Sequence, residues 1–343
     1  MQTTRLPVTV PDLDVQYPRK PPVPEHMPAM YFIMGIVGSR GSGKTTKLMQ
    51  MLQLYDRCKT FDVIRIFCPS YDDDVKYRLL EKMDCRLVVQ REYNDGLFSQ
   101  CLAEVDADLQ EHEDYLKKRE LYRRWLKDKN EMKEWRSRDL QLLEEMGHKK
   151  PKRPFRYGKP NTLLIMDDLS GTSLYRSDSK GPFNAFAIRH RHRCCSIIML
   201  TQTFFNSIPR GIRTNLSAVM LFSNRNAGMA AQICAEFSSY ISVEQFQAMW
   251  DAATEEPHDC FFVDFEAPLA SRYRKNFDLA FVVSKRVPGA PEKLSTKQTD
   301  DAANSGGTGR PGAGAVGGVR RPPGPDDDRA PGGRGAAVKD YQR

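Results

Sequence analysis

The chain contains no Cys-x-x-Cys pair, although it carries eight cysteines in 343 residues. Structural zinc sites draw on such pairs, and small secreted domains pack their cysteines far more densely. The eight are scattered through stretches of strand and helix character, so they read as reduced intracellular thiols. No apolar run comes near the ~20 residues that a membrane helix needs, and the proline-rich N-terminus has no signal-peptide core. These absences predict a soluble, unsecreted protein with no membrane span. Cys194 and Cys195 beside His190 and His192 are metal-binding residue types, but no second ligand pair with zinc spacing accompanies them.

What is present begins with a 40% apolar content, enough for a sizeable core. The net charge of +8 permits a polyanion partner without requiring one. The stretch Gly38-Ser39-Arg40-Gly41-Ser42-Gly43-Lys44-Thr45 fits G-x-x-x-x-G-K-[ST] at every fixed position. Tyr31 to Val37 before it has the apolar character of a buried parallel strand, and Thr46 to Leu54 after it carries apolar groups at helical spacing. A strand and a helix start on either side turn the pattern into a phosphate-binding loop. Its glycines let backbone N–H groups turn around phosphate oxygens, and the helix adds its positive end. Residues Gly38 to Thr46 are the predicted ATP contacts, with Lys44 on the β- and γ-phosphates and Thr45 on Mg²⁺.

Residues 1–28 are rich in proline and read as an extended arm. Strands are predicted at Phe61–Cys68 and Cys85–Gln90. From Ser99 to Met146 the chain is dense in charge and has no proline, which predicts a long helix or helical hairpin. Leu102, Val105, Leu109 and Leu116 form its first stripe, and Trp125, Met132, Trp135, Leu142 and Met146 continue it out of register. The stripe fits packing on the protein's own sheet or a coiled-coil partner. The basic run Lys149, Lys150, Lys152, Arg153 and Arg156 fits a solvated loop or a DNA contact.

Thr162–Asp168 is an apolar strand ending in two carboxylates, at the edge where open parallel sheets bind ligands. Asp167 is the candidate Mg²⁺ ligand and Asp168 the residue that polarises the attacking water. Ser196–Leu200 is another strand, and Gln202 beyond it is placed to sense the γ-phosphate. Between them lies Ile188–Arg193, either a source of a guanidinium for the transition state or a basic helix end. A strand at Ser217–Phe222, helices at Ala227–Phe237 and Ser242–Ala253, and a hairpin of Cys260–Phe265 with Arg272–Phe277 complete residues 29–285. Residues 286–343 are Gly, Pro and Arg in bulk and predict a disordered tail.

The order of these features, and above all Arg191-His192-Arg193-Cys194-Cys195-Ser196-Ile197-Ile198-Met199-Leu200-Thr201-Gln202 followed by Ile208-Pro209 and Ile212-Arg213-Thr214-Asn215, resembles the genome-packaging ATPases of large and medium double-stranded DNA viruses. These form the poxvirus-type branch of the FtsK–HerA motor superfamily. The resemblance implies an α/β P-loop NTPase of RecA/ASCE-like type: a central, mostly parallel sheet flanked by helices, here with a charged helical insertion at about 98–150 and disordered termini. It implies an Mg²⁺-dependent ATPase that drives double-stranded DNA into a capsid, with Lys44, Asp168 and Gln202 catalytic and Arg191 the arginine finger. It also implies a hexameric or pentameric ring, capsid or portal-vertex partners, and a place in the infected cell or virion. Asp168 stands where many relatives carry glutamate. A helicase or conjugation-type DNA pump, and a non-catalytic nucleotide-dependent assembly factor, are the alternatives on the same core.

Overall fold

The computed structural model describes residues 21–127, 135–175, 181–224, 226–238 and 241–283. Most of the proline-rich arm, Met132 and the expected disordered tail lie outside the described residues. The described end of the arm lies down on the domain: the Tyr55 hydroxyl donates to the Pro28 carbonyl at 2.8 Å, and Thr60 Oγ1 donates to that of Pro22 at 2.7 Å.

In chain order the parallel strands are β1 (Ile33–Val37), β2 (Val63–Phe67), β3 (Arg86–Gln90), β4 (Thr162–Asp167), β5 (Cys195–Thr201) and β6 (Ala218–Phe222). Antiparallel strands β7 (Cys260–Asp264), β8 (Tyr273–Lys275) and β9 (Leu279–Ala280) extend one edge. The sheet runs β3-β2-β4-β5-β1-β6-β7-β8-β9. Every residue of β1, β2, β4, β5 and β6 is buried, because helices cover both faces of a parallel sheet. Alternation divides β1 between two cores, Ile33 and Val37 facing one and Met34 and Ile36 the other.

The helices are α1 (Lys44–Arg57), α2 (Asp95–Lys127), α3 (Ser137–Glu145), α4 (Pro182–Arg189), α5 (Arg210–Arg213), α6 (Ala227–Phe237), α7 (Val243–Ala253) and α8 (Leu269–Arg272). A 3₁₀ segment, Val75–Lys82, follows β2 and is capped by Asp74. Helix α7 starts at a reciprocal Ser242–Gln245 capping box.

Helix α2 packs on the sheet through a stripe that shares Leu102 and Val105 with the predicted one and departs from it further along. Phe98, Cys101, Val105, Asp108, His112 and Tyr115 are buried, whereas Leu116 is exposed. The cause is electrostatic. Asp108 accepts from Arg65 Nη2 at 3.0 Å and also pairs with Arg86, so the helix presents a carboxylate to the sheet that an apolar periodicity does not register. Trp135 and Leu143 join Leu121 in a separate small core between α2 and α3.

Candidate nucleotide site

Strand register assembles the site. Val37 lies opposite Thr201 in the β1–β5 pair, and Asp167 lies opposite Leu200 in the β4–β5 pair. The three chain segments leaving those strands therefore emerge at one level, carrying the phosphate loop, Gln202 and Asp168. Strand β5 stands between the phosphate-loop strand and the acidic strand. Residues 38–45 span the loop and the start of α1, and the Gly38 N–H donates to the Thr201 carbonyl at 3.1 Å.

The loop's glycines are required by space and dihedral angle. A Cβ on Gly38 would stand 2.6 Å from Ser42 Oγ and 2.8 Å from Phe222 Cβ, and Gly43, the N-cap of α1, has φ +103°. A cavity of about 750 Å³ opens over this loop. Arg40 to Thr46, Asp167, Asp168 and Gln202 line it, so the structure brings together every predicted nucleotide, metal and catalytic residue in that set. Gly38 and Ser39 line a smaller adjoining cavity that Gln202 shares.

Arg191 is not among them. It lies just before β5, whereas Gln202 follows it, and the seven residues of that strand span about 20 Å. Its Nη2 lies 2.7 Å from Glu266 Oε1 at the opposite edge of the sheet. Arg189 and Arg193 share that edge, and Arg193 pairs with Asp106 of α2 at 3.0 Å.

No protein-family model matches the chain, and no curated protein matches it. Among solved structures, one similar to it is the genome packaging NTPase B204 from Sulfolobus turreted icosahedral virus 2 in complex with AMP. The identity is 14%, the TM-score 0.42, and the match covers 72% of this chain and 96% of that one. A second is the cytoplasmic domain of the Type VII secretion ATPase EccC of Thermomonospora curvata, at 15% identity and TM-score 0.40, covering 77% of this chain and 26% of that one. A third is the conjugation coupling protein TcpA of pCW3, at 14% identity and TM-score 0.36, covering 73% and 61%. The structures it is similar to thus include a viral genome packaging NTPase, a secretion ATPase and a conjugation coupling protein. What its own site can do rests on its own residues.

Lys44 Nζ donates to the Gly38 carbonyl at 2.7 Å and the Ser39 carbonyl at 3.0 Å, within its own loop. Burial lowers its pKa, while Asp167 and Asp168 act in the opposite direction. Asp167 is buried, and desolvation raises its pKa; the Tyr77 hydrogen bond works against that rise. Asp168 is exposed and adopts φ +53°, a left-handed conformation that turns the chain as it leaves β4.

The residues fit a nucleotide with a hard cation. Ser42 Oγ is buried in the loop without a hydrogen-bond partner among the described residues, as a group awaiting a phosphate oxygen would be. Thr45 and Asp167 offer oxygen donors, the type Mg²⁺ takes, and phosphate oxygens and water customarily complete its shell. Among the described residues no three His, Cys, Asp or Glu side chains converge as a metal-holding group, and His190 Nδ1 lies 2.6 Å from the Ala187 carbonyl oxygen.

Several site residues escaped the sequence. Tyr77 and Cys68 flank Asp167, and Ser70, Asp74 and Lys76 line the cavity from the segment after β2. His258, with φ +69°, packs against Gly43 from the loop before β7. Lys47, one helical turn beyond Lys44, could have been found from α1's spacing. The others carry no motif.

Proposed function

We propose that the protein is an ATP-hydrolysing motor that translocates double-stranded viral DNA into a preformed capsid. The observation that carries the hydrolytic part is the convergence of Lys44, Asp167, Asp168 and Gln202, from three separate strand ends, on one cavity. A module that only binds nucleotide has no need of the exposed Asp168 and Gln202 facing the phosphate loop.

In this reading Lys44 and the loop N–H groups bind the β- and γ-phosphates. Thr45 and Asp167 hold Mg²⁺, whose charge offsets that on the phosphate oxygens. Asp168 accepts a proton from the attacking water and Gln202 orients it. The viral DNA cargo, the ring of six or five subunits and the capsid or portal partner follow from the sequence resemblance. Because Arg191 sits at the edge away from its own cavity, its role as a finger is at a neighbouring subunit's cavity.

The test is ATPase rate with and without blunt double-stranded DNA, alongside particle size with ATP bound. The motor reading expects Mg²⁺-dependent turnover stimulated by duplex, in a ring-sized particle, and none in Lys44→Ala. Strand separation on a forked duplex would favour a helicase. Turnover indifferent to DNA would favour an assembly factor.

A further inference from the structure

Two basic runs that the nucleotide site does not use are distant in sequence and adjacent in the fold. The first, residues 149–156, leaves α3 and crosses the N-terminal ends of β2 and β4. Phe155 is buried, the Arg156 N–H donates to Asp62 Oδ1 at 3.2 Å, and the Tyr157 hydroxyl donates to the Cys58 carbonyl at 3.3 Å. The second, residues 189–193, is the turn into β5. The Thr162 N–H donates to the Cys194 carbonyl at 3.1 Å, which ties the starts of β4 and β5 together. Lys159 follows the first run on the way to β4: its neighbour Gly158 lies against His112 of α2, and the Lys159 carbonyl accepts from Asn161 Nδ2 at 3.3 Å, next to the tie between Thr162 and Cys194.

Several acids at this edge are already engaged. Asp84 pairs with Arg156 at 3.0 Å, Asp106 with Arg193 at 3.0 Å and Glu266 with Arg191 at 2.7 Å. Asp62 accepts from the backbone N–H groups of Arg156 and Asn161. By contrast, Lys149, Lys150, Lys152, Arg153, Lys159 and Arg189 are exposed and have no carboxylate within ion-pair distance among the described residues. Glu111, Asp114 and Glu145 share the groove with Lys118, Lys149, Lys150 and Lys152, and Asp114 is paired with Lys117 at 3.0 Å, so a positive excess remains.

The chemistry of the surface selects its partner. Lys and Arg side chains without carboxylate partners, gathered on one surface, suit the phosphates of a nucleic-acid backbone, and exchange with counterions makes such contacts favourable and independent of sequence. The only large apolar side chain exposed near the turn, among the described residues, is Ile188. An acidic protein partner would ordinarily be anchored by aromatic or apolar groups. The edge also lies at the opposite ends of the strands from the ATP cavity, so the two ligands do not compete.

We infer that this edge is a contact surface for the phosphate backbone of double-stranded DNA. The inference rests on the DNA-translocating function proposed above and names where the DNA is held.

Binding of labelled duplexes of two unrelated sequences, titrated across a range of salt with the full chain, tests it. The variant carries Lys149→Gln, Lys150→Gln, Lys152→Gln, Arg153→Gln and Lys159→Gln. Both duplexes should bind it at least tenfold more weakly, with the slope of log K against log salt reduced by about 0.9 per lost phosphate contact. ATPase activity without DNA should be unchanged, which shows that the variant is folded, while stimulation by duplex is lost. Single Lys159→Gln and Arg189→Gln chains should each flatten the slope by about one contact. Wild-type affinity and slope in the variant would overturn the surface and leave the motor reading intact. A wild-type chain that binds no duplex would overturn both. Equal affinity for a polyglutamate chain would assign the edge to an acidic protein instead.

Discussion

The Tyr77 hydroxyl donates a hydrogen bond to Asp167 Oδ2 beneath the nucleotide cavity, joining residues 90 positions apart. Tyr77 is fully buried, and Cys68 Sγ lies 3.8 Å from the same oxygen. The contact fixes the orientation of the one buried carboxylate in the cavity, from the 3₁₀ segment whose cap Asp74 and second residue Lys76 line the cavity wall.

Tyr77→Phe keeps the ring and removes the donor. Groups that orient metal ligands are worth roughly 10- to 100-fold in metal affinity. The half-saturating Mg²⁺ concentration for ATPase should rise by at least about tenfold, with kcat near wild type once Mg²⁺ saturates. A Mg²⁺ titration of turnover, paired with Mn²⁺ binding measured by electron paramagnetic resonance, reads the effect directly.

Asp167 predicts a conflict between stability and activity. Its folded-state pKa is raised by burial, so the folded chain holds this proton more tightly than the unfolded chain does. Its contribution to stability is complete below the unfolded pKa and is lost as pH rises through the folded one. At neutral pH the ionised carboxylate is a cost. Asp167→Asn should therefore raise Tm at neutral pH, with a smaller gain in mild acid, while abolishing Mg²⁺-dependent turnover. Thermal unfolding at the two pH values checks the sign.

Arg191→Ala should leave nucleotide binding intact, because Arg191 lies far from its own cavity. If it serves a neighbour's cavity, turnover should fall by roughly 10³-fold, the scale of an arginine finger. Mixing Arg191→Ala with Lys44→Ala chains should then restore part of the activity, since an intact cavity can meet an intact arginine. A mixture as inactive as its components would remove the role.

The Arg65–Asp108 pair predicts a stability effect far from the chemistry. Both side chains are buried, at 3% and 7% exposure, in the seam between β2 and α2. Asp108→Ala strands the guanidinium with Glu104 as its remaining carboxylate and should cost about 3–5 kcal/mol. Arg65→Met combined with Asp108→Leu should cost much less, because no buried charge is left unpaired. Denaturant unfolding of the single and double variants measures the difference.

The phosphate loop was legible in sequence because its backbone geometry admits so few residues: Gly38 has no room for a Cβ and Gly43 needs a positive φ. The parallel strands were legible because burial on both faces leaves continuous apolar runs, as in β1 and β4. The packed face of α2 was not, since Asp108 and His112 occupy positions where a periodicity argument expects apolar groups. Asp74, Lys76 and His258, which line the cavity, and Tyr77 beneath it were not, because the segments after β2 and before β7 that carry them have no repeating pattern.

By itself the sequence supplied a complete phosphate-binding-loop pattern, with two carboxylates and Gln202 as candidate hydrolytic groups. Such local patterns are fixed by the chemistry of a few adjacent residues. Only the tertiary structure decided which candidates share a cavity. A parallel strand separates whatever precedes it from whatever follows it by its full length, so the same β5 that delivers Gln202 to the phosphate loop holds Arg191 at the other edge of the sheet. The same geometry gathers two unrelated basic runs into one surface there.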